Sequence, residues 1–359
     1  MYCLNVHPAE TLADVIATLR GPVASVKRAV SPAATYEIGL RLSAQAAREL
    51  SAPGALAAFR DELRRGGLTV RHLNGFPYGR FHGGRVKTQV YRPDWSARER
   101  LDYTLDLARI LSALLPGGAE PGTISTVPLG YRGAVDAAAC LRALDTLERR
   151  LDDLEAQTGR RICVAFEPEP DCLAGTVAEL LALVPPARHR AVLIDTCHAA
   201  VNGEDPLLCL ERCQQAGFCL GRLQVSAALT ADAAHAAALA PFRNGVYLHQ
   251  TRLYGPGGEC VAAYPDLTDE AVAALSRLRG GRACIHCHVP LDWPGGECGT
   301  TREQIGDGLL RRALALGTAL EIETYTYDVL PAAMRPASVE AGIIREEQWL
   351  MRRLNRLQR

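Results

Sequence analysis

Three short apolar runs of this chain each end in an acid where a strand would stop. They are Cys163-Val164-Ala165-Phe166-Glu167, Val192-Leu193-Ile194-Asp195 followed by Thr196-Cys197-His198, and Leu320-Glu321-Ile322-Glu323-Thr324. Runs of this length and content read as buried strands, and metal ligands delivered at the ends of several buried strands are how a barrel assembles a divalent-metal site. The feature confines the chain to folds in which the ends of neighbouring strands converge.

The rest of the chain keeps to the same pattern. Short β-branched segments alternate with amphipathic segments rich in Ala, Leu and Arg, as in βα units wound around a parallel sheet. Strands are predicted at 2–7, 36–43, 68–74, 122–128, 162–168, 191–196, 221–226 and 319–325. Helices at 46–65, 99–115, 135–157, 176–183 and 301–316 fit between them. Eight units in this order predict an α/β fold, a (β/α)8 TIM barrel, with a doubly wound open sheet as the alternative. Two extended runs, 246–254 and 259–265, flank Gly255-Pro256-Gly257-Gly258 and predict a hairpin inserted between the seventh and eighth strands; 284–290 is a further surplus strand. No short repeat or Gly/Ser linker divides the sequence, so residues 1–359 are expected to form a single domain, with a tail from about 331 to 359 packed outside the barrel.

Forty basic and forty acidic residues cancel, which argues against a nucleic-acid partner, because such proteins carry a basic footprint. No apolar run is long enough for a membrane span, and residues 1–8 lack the basic-then-apolar order of a signal peptide. Twelve cysteines are scattered instead of paired in knuckles, and Cys284 and Cys287 of the CxxC stretch would point to opposite faces of a strand. The expectation is reduced, mostly buried thiols and a cytoplasmic location, with a small-molecule substrate as partner and homo-oligomerisation left open.

Side chains alternate faces along a strand, so parity sorts inward from outward residues. Cys163, Ala165 and Glu167 share one face; so do Ala191, Leu193 and Asp195, then Arg222, Gln224 and Ser226, then Glu321, Glu323 and Tyr325. Glu167, Asp195, Gln224 and Glu323 therefore aim at one volume. Three carboxylates in a low-dielectric cavity raise one another's pKa, and a divalent cation removes the conflict. Oxygen donors with an amide favour Mn, Mg or Co, while nearby histidines keep Zn in the set. Each acid taken alone would sooner be a helix N-cap or the partner of an inward arginine such as Arg41 or Arg222. Four in register outweigh that reading.

His198 follows Asp195 at the same mouth, as a ligand of metal or substrate or as a capping residue. His286 and His288 share a face, forming either a second metal or substrate site or a hydrogen-bonded core pair; His249 lies in the expected hairpin. The substrate-facing candidates are His7 at the end of the first strand, Arg41 on the second, His72 and Asn74 on the third, and Tyr78 and His82 in the loop from Gly75 to Gly83. Its glycines, aromatics and polar side chains read as a substrate wall or as a long packed connection. There is no Walker loop, dinucleotide fingerprint or GxSxG elbow.

With Glu167, Asp195-x-x-His198, Gln224 and Leu320-x-x-Glu323-Thr324 on successive strands, the sequence resembles the xylose-isomerase-like superfamily of TIM barrels. That superfamily holds sugar isomerases, ketose epimerases, inosose-processing enzymes and AP-endonuclease-like nucleases. More narrowly, Asn74-Gly75-Phe76-Pro77-Tyr78-Gly79, Phe166-Glu167-Pro168-Glu169-Pro170, His286-Cys287-His288-Val289-Pro290 and Glu323-Thr324-Tyr325-Thr326-Tyr327 resemble the EboE-type "metabolite traffic" family of bacterial ebo clusters. The superfamily resemblance implies a divalent metal on Glu167, Asp195, Gln224 and Glu323, although histidine often stands at the place of Gln224. It also implies an isomerase or epimerase of a small polyhydroxy carbonyl compound (a sugar, a cyclitol or a phosphorylated relative), with Glu167 and Glu323 as general base and acid. Two alternatives stay open. One is a multinuclear phosphoester hydrolase using His198, His249, His286 and His288 as further ligands; the other is a non-catalytic metabolite-binding protein.

Overall fold

In the computed structural model, which describes residues 1–118, 121–133 and 135–357, six strands pair side by side in parallel. They are β1 (Tyr36–Arg41), β2 (Leu68–Asn74), β3 (Gly122–Thr126), β4 (Ile162–Phe166), β5 (Arg190–Asp195) and β6 (Cys219–Val225). An insertion follows, carrying β7 (Ala228–Asp232), β8 (Thr251–Tyr254), β9 (Cys260–Tyr264), β10 (Arg282–His288) and β11 (Gly299–Thr300). The last strand, β12 (Ala319–Ile322), returns to pair in parallel with β6.

The amino terminus closes the ring between β12 and β1. The Cys3 N–H donates to the Ile322 carbonyl at 2.9 Å and the Gly39 N–H to the Tyr2 carbonyl at 3.1 Å, so that Tyr2 and Cys3 bridge the two edges in parallel sense. The expected first strand 2–7 is therefore shortened to these two residues. A 3-10 turn at Leu4–Val6 ends it and carries the chain across the mouth, where the Asn5 carbonyl meets His82 and its side chain meets Glu323.

Alternation of side chains makes two cores. Val164, Phe166, Val192, Ile194, Leu223 and Val225 pack in the main core, while Cys163, Ala165, Ala191 and Leu193 form a separate cluster of mostly small residues inside the barrel. The interior is tight: a Cβ at Gly221 would stand 2.7 Å from that of Ala165. The helices Arg98–Leu114, Ala137–Thr158 and Val177–Leu183 lie where periodicity predicts them. The expected helix 46–65 is instead two, Ala44–Leu50 and Ala55–Gly66, separated at Pro53-Gly54, where proline has no N–H to give and Gly54 takes φ +78°. The expected helix 301–316 starts late, as a 3-10 turn at Arg302–Gln304 followed by the helix Asp307–Ala315.

The insertion is larger than a hairpin. β8 and β9 do pair antiparallel around the glycine turn, but they belong to a five-stranded sheet of order β11-β7-β10-β8-β9 whose pairings are all antiparallel. β7 begins three residues after β6 ends, so this sheet grows out of the carboxyl ends of the barrel strands. Its strand β10 delivers His286 and His288 to the mouth.

The helix Val339–Leu357 packs against the helices Ala24–Val30 and Asp307–Ala315. Residues 358 and 359 of the expected tail lie outside the described residues. None of the twelve cysteines is in a disulfide, and no helix of the described residues is long and apolar enough to cross a membrane.

Candidate active site

Two layers of charge are stacked inside the barrel. In the lower one, Arg222 donates to Glu321 at 3.0 Å with both side chains fully buried, and to the Leu73 carbonyl at 3.0 Å. The Gln224 amide nitrogen donates to the second Glu321 oxygen at 3.2 Å. Gly39 makes the space, since a Cβ there would fall 1.7 Å from Glu321 Oε1. This layer neutralises itself.

In the upper layer, Glu167 just past β4, Asp195 at the end of β5 and Glu323 just past β12 each bring a carboxylate oxygen within 4.8 Å of the others, all buried. Burial pushes Glu167 and Glu323 well above the usual carboxylate range. Neighbouring acids push further: Glu323 and Asp195 act on Glu167, and Asp195 and Glu321 on Glu323. Asp195 also serves as the N-cap of the helix Thr196–Val201. Its Oδ1 accepts the His198 N–H at 2.9 Å and the Ser226 hydroxyl at 2.7 Å. Its Oδ2 is buried without a partner, as are Gln224 Oε1 and Asn5 Oδ1, although the Asn5 amide nitrogen donates to Glu323. A buried polar atom left unsatisfied costs about 1–3 kcal/mol. Clustered carboxylates with spare oxygens beside them are the donor set of a hard or borderline divalent cation.

Glu167 and Glu323 line a pocket whose wall includes Phe81, Tyr91, Tyr247 and Tyr325; Asp195 and His288 are not part of that lining. His198 and His286 face the same pocket, with their Nε2 atoms 3.0 Å apart. Burial lowers His198 to about 4 and His286 well below the usual histidine value. Glu169 was passed over in the sequence, although it shares the parity of Glu167. Burial raises it to about 8, and it accepts the Tyr91 hydroxyl at 2.7 Å. Tyr91 itself had no sequence signal, being in a 3-10 turn, Lys87–Tyr91, of a long connection.

The remaining sequence candidates are dispersed. Asn74 reaches the pocket, but its amide group is engaged, donating to Cys3 Sγ at 3.0 Å and accepting the Phe76 N–H at 3.1 Å. His82 stands behind the wall, on the Asn5 carbonyl and 3.0 Å from the Tyr247 hydroxyl. Arg41 ties loops together through Ala9, Glu10 and Gly79. His7 lies 3.1 Å from the Tyr2 hydroxyl, and Tyr78 packs edge-on against Tyr103 at 5.1 Å. His249 is buried, its Nε2 3.4 Å from the Asn244 amide. His72 lies at the opposite end of the barrel, 2.7 Å from the Thr123 hydroxyl and 3.4 Å from Glu37.

The parallel ring of β1 to β6 and β12, closed by Tyr2 and Cys3, is an α/β TIM barrel, and the first of three solved structures that resemble it agrees on the fold. The IolI protein with a binding zinc atom matches over 99% of this chain and 96% of its own, at 12% identity and a TM-score of 0.50. The probable 3-DHS dehydratase AsbF from Bacillus anthracis matches over 98% and 97%, at 11% identity and 0.48. The D-allulose 3-epimerase from Methylomonas sp. in complex with D-allulose matches over 98% and 96%, at 12% identity and 0.49. No protein-family profile and no curated protein sequence matches the chain.

Proposed function

We propose that this chain is a divalent-metal-dependent isomerase or epimerase of a small polyhydroxy carbonyl compound, such as a sugar, a cyclitol or a phosphorylated relative. The observation that carries the reading is the buried convergence of Glu167, Asp195 and Glu323, with the unpartnered Asp195 Oδ2 and Gln224 Oε1 beside them. These four side chains would hold Mn, Mg, Co or Zn, and the zinc of the IolI protein lends support to a divalent ion. When bound, such an ion supplies Lewis acidity toward a carbonyl and its neighbouring hydroxyl.

The chain's own residues would do the rest. Glu167 and Glu323 both line the pocket, so a substrate there meets a carboxyl group from each of two strand ends. One takes the proton from the carbon beside the carbonyl and the other returns a proton to the product. Asn5 fixes the orientation of Glu323, and the aromatic wall of Phe81, Tyr247 and Tyr325 keeps water from the reacting carbon. The resemblance to the EboE-type family would set this reaction in the synthesis or traffic of a secondary metabolite. Twelve cysteines without a disulfide support a reducing, cytoplasmic compartment.

The test is solvent-deuterium incorporation beside the carbonyl across a panel of ketoses, aldoses and inososes, followed by NMR. Glu323→Gln keeps shape and removes the ionisable group, and is expected to slow exchange by about 10³-fold while the circular dichroism spectrum is unchanged. Undiminished exchange in that variant would overturn the assignment.

A further inference from the structure

Two chemically unlike sets of side chains line the mouth pocket. Asn5, Glu167, Glu169, His198, His286 and Glu323 are polar; Phe76, Phe81, Val86, Val90 and Leu248, with the ring of Tyr247, are not. Phe81, Val86 and Tyr247 form a hydrophobic cluster of their own, and Val90 and Tyr325 pack against it. The rings of Phe81, Tyr247 and Tyr325 stand 5.3, 5.2 and 5.0 Å apart. This apolar wall is built from the connection after β2 and from the run before β8. The two segments are tied together where the N–H groups of Val86 and Lys87 both donate to the Val246 carbonyl, at 2.9 and 3.0 Å.

The apolar wall has little to offer a hydroxyl group. The Tyr247 hydroxyl stands 3.0 Å from His82 Nδ1, and the Tyr91 hydroxyl donates to Glu169 at 2.7 Å and accepts from the Gln250 amide at 2.9 Å. A hydroxyl pressed against Phe81, Val86, Val90 or Leu248 would lose its water and gain no partner. Charge is as one-sided. Among the described residues, Lys87 is the only lysine or arginine lining the pocket, and its Nζ already donates to Asp266 at 2.5 Å and to the Asn244 carbonyl at 3.0 Å. Glu167, Glu169 and Glu323 line the same pocket. A dication on Glu167, Asp195 and Glu323 would set two positive charges against three negative ones, so the lining holds nothing to answer a phosphate group with its charge of about −2.

We infer that the substrate is unphosphorylated and carries hydroxyl groups at one end only: a hydroxy-carbonyl head against the strand-end acids and a short hydrocarbon tail against Phe81, Val86, Val90 and Leu248. Those four side chains set specificity by what they cannot pair with, since a site rejects a group whose hydrogen bonds it leaves unmade. Resting on the assignment of the acids to the carbonyl end, this removes sugar phosphates from the substrate class and places fully hydroxylated sugars below deoxy or alkyl-substituted ones.

The test is binding, read by ligand-observed NMR on the full chain with Zn²⁺ supplied. Three five-carbon probes share a hydroxymethyl ketone head and differ in the tail: 1-hydroxy-2-pentanone, xylulose and xylulose 5-phosphate. The pentanone is expected to bind about tenfold more tightly than xylulose, and the phosphate more weakly than either. Val86→Thr puts a hydroxyl into the wall and is expected to narrow the ratio between pentanone and xylulose by about threefold; Leu248→Asn takes its place should Val86→Thr fail to fold. Xylulose or its phosphate bound as tightly as the pentanone, no binding of the pentanone, or a ratio unchanged in the folded variant overturns the inference. Preferred binding of the pentanone with no solvent-deuterium exchange in any of the three probes would count against the isomerase reading and not against this one.

Discussion

Glu321 and Glu323 are two residues apart on the same inner face, and their exposures are 0% and 4%. Glu321 meets Arg222 at 3.0 Å, with Gln224 covering its other oxygen. Glu323 meets two more acids. A buried carboxylate has to be paired, protonated or bound to a cation. The lower layer brings its own cation and so serves the barrel; the upper layer brings none and so is open to chemistry. What separates the structural charge from the one proposed to be functional here is the partner, not the burial or the strand position.

The largest effect should come from breaking the self-neutralised layer. Arg222→Met removes the guanidinium while filling its space, leaving Glu321 buried and unpaired, and is expected to cost about 3–5 kcal/mol in denaturant unfolding. A loss below about 1 kcal/mol would erase the contrast between the layers.

A smaller effect is expected from a third buried carboxylate, Glu346, which has hydrogen-bond donors and no cation. It accepts the Leu291 N–H at 2.8 Å, the Thr324 hydroxyl at 2.8 Å and the Tyr327 hydroxyl, and burial raises it from 4.5 to about 7. Because the folded-state value is the higher one, the folded protein binds the proton more tightly. Its contribution to stability is complete below about pH 4.5 and is lost as pH rises through about 7. The rise corresponds to about 3 kcal/mol, so Glu346→Gln should flatten the stability profile between those pH values by up to that amount. A profile of unchanged slope would show that hydrogen bonds alone suffice to hold the ionised form.

Much of this arrangement is legible in the sequence because strand parity is a local property. The apolar runs locate β1 to β6 and β12 to within a few residues, and alternation along them gathers Glu167, Asp195, Gln224 and Glu323 on the inner face. Depth is another matter. His72 and Asn74 share a face of β2, yet His72 lies at the amino end of the barrel and Asn74 at the mouth, because stagger between strands sets the layer and parity does not. Pairing over long distances is equally hidden. β7 and β11 are short, lie 71 residues apart by their first residues and pair only once the chain has folded back, so the insertion reads as a hairpin instead of a five-stranded sheet. Partners of a polar atom are hidden too, which is why the sequence leaves Asp195 open as cap or ligand, whereas one of its oxygens caps the helix Thr196–Val201 and the other is buried without a partner.

Calorimetric titration of the metal-stripped protein with Mn²⁺ or Zn²⁺ at pH 7, in two buffers of different ionisation enthalpy, tests most directly whether the upper layer is built for a cation. Binding should release protons, because burial and neighbouring acids raise Glu167 and Glu323 well above the usual carboxylate range. It should also stabilise the fold by about 2.7 kcal/mol at one hundred times Kd, and Asp195→Asn should weaken it. Titration without heat, proton release or a rise in Tm would contradict the contrast between the two layers.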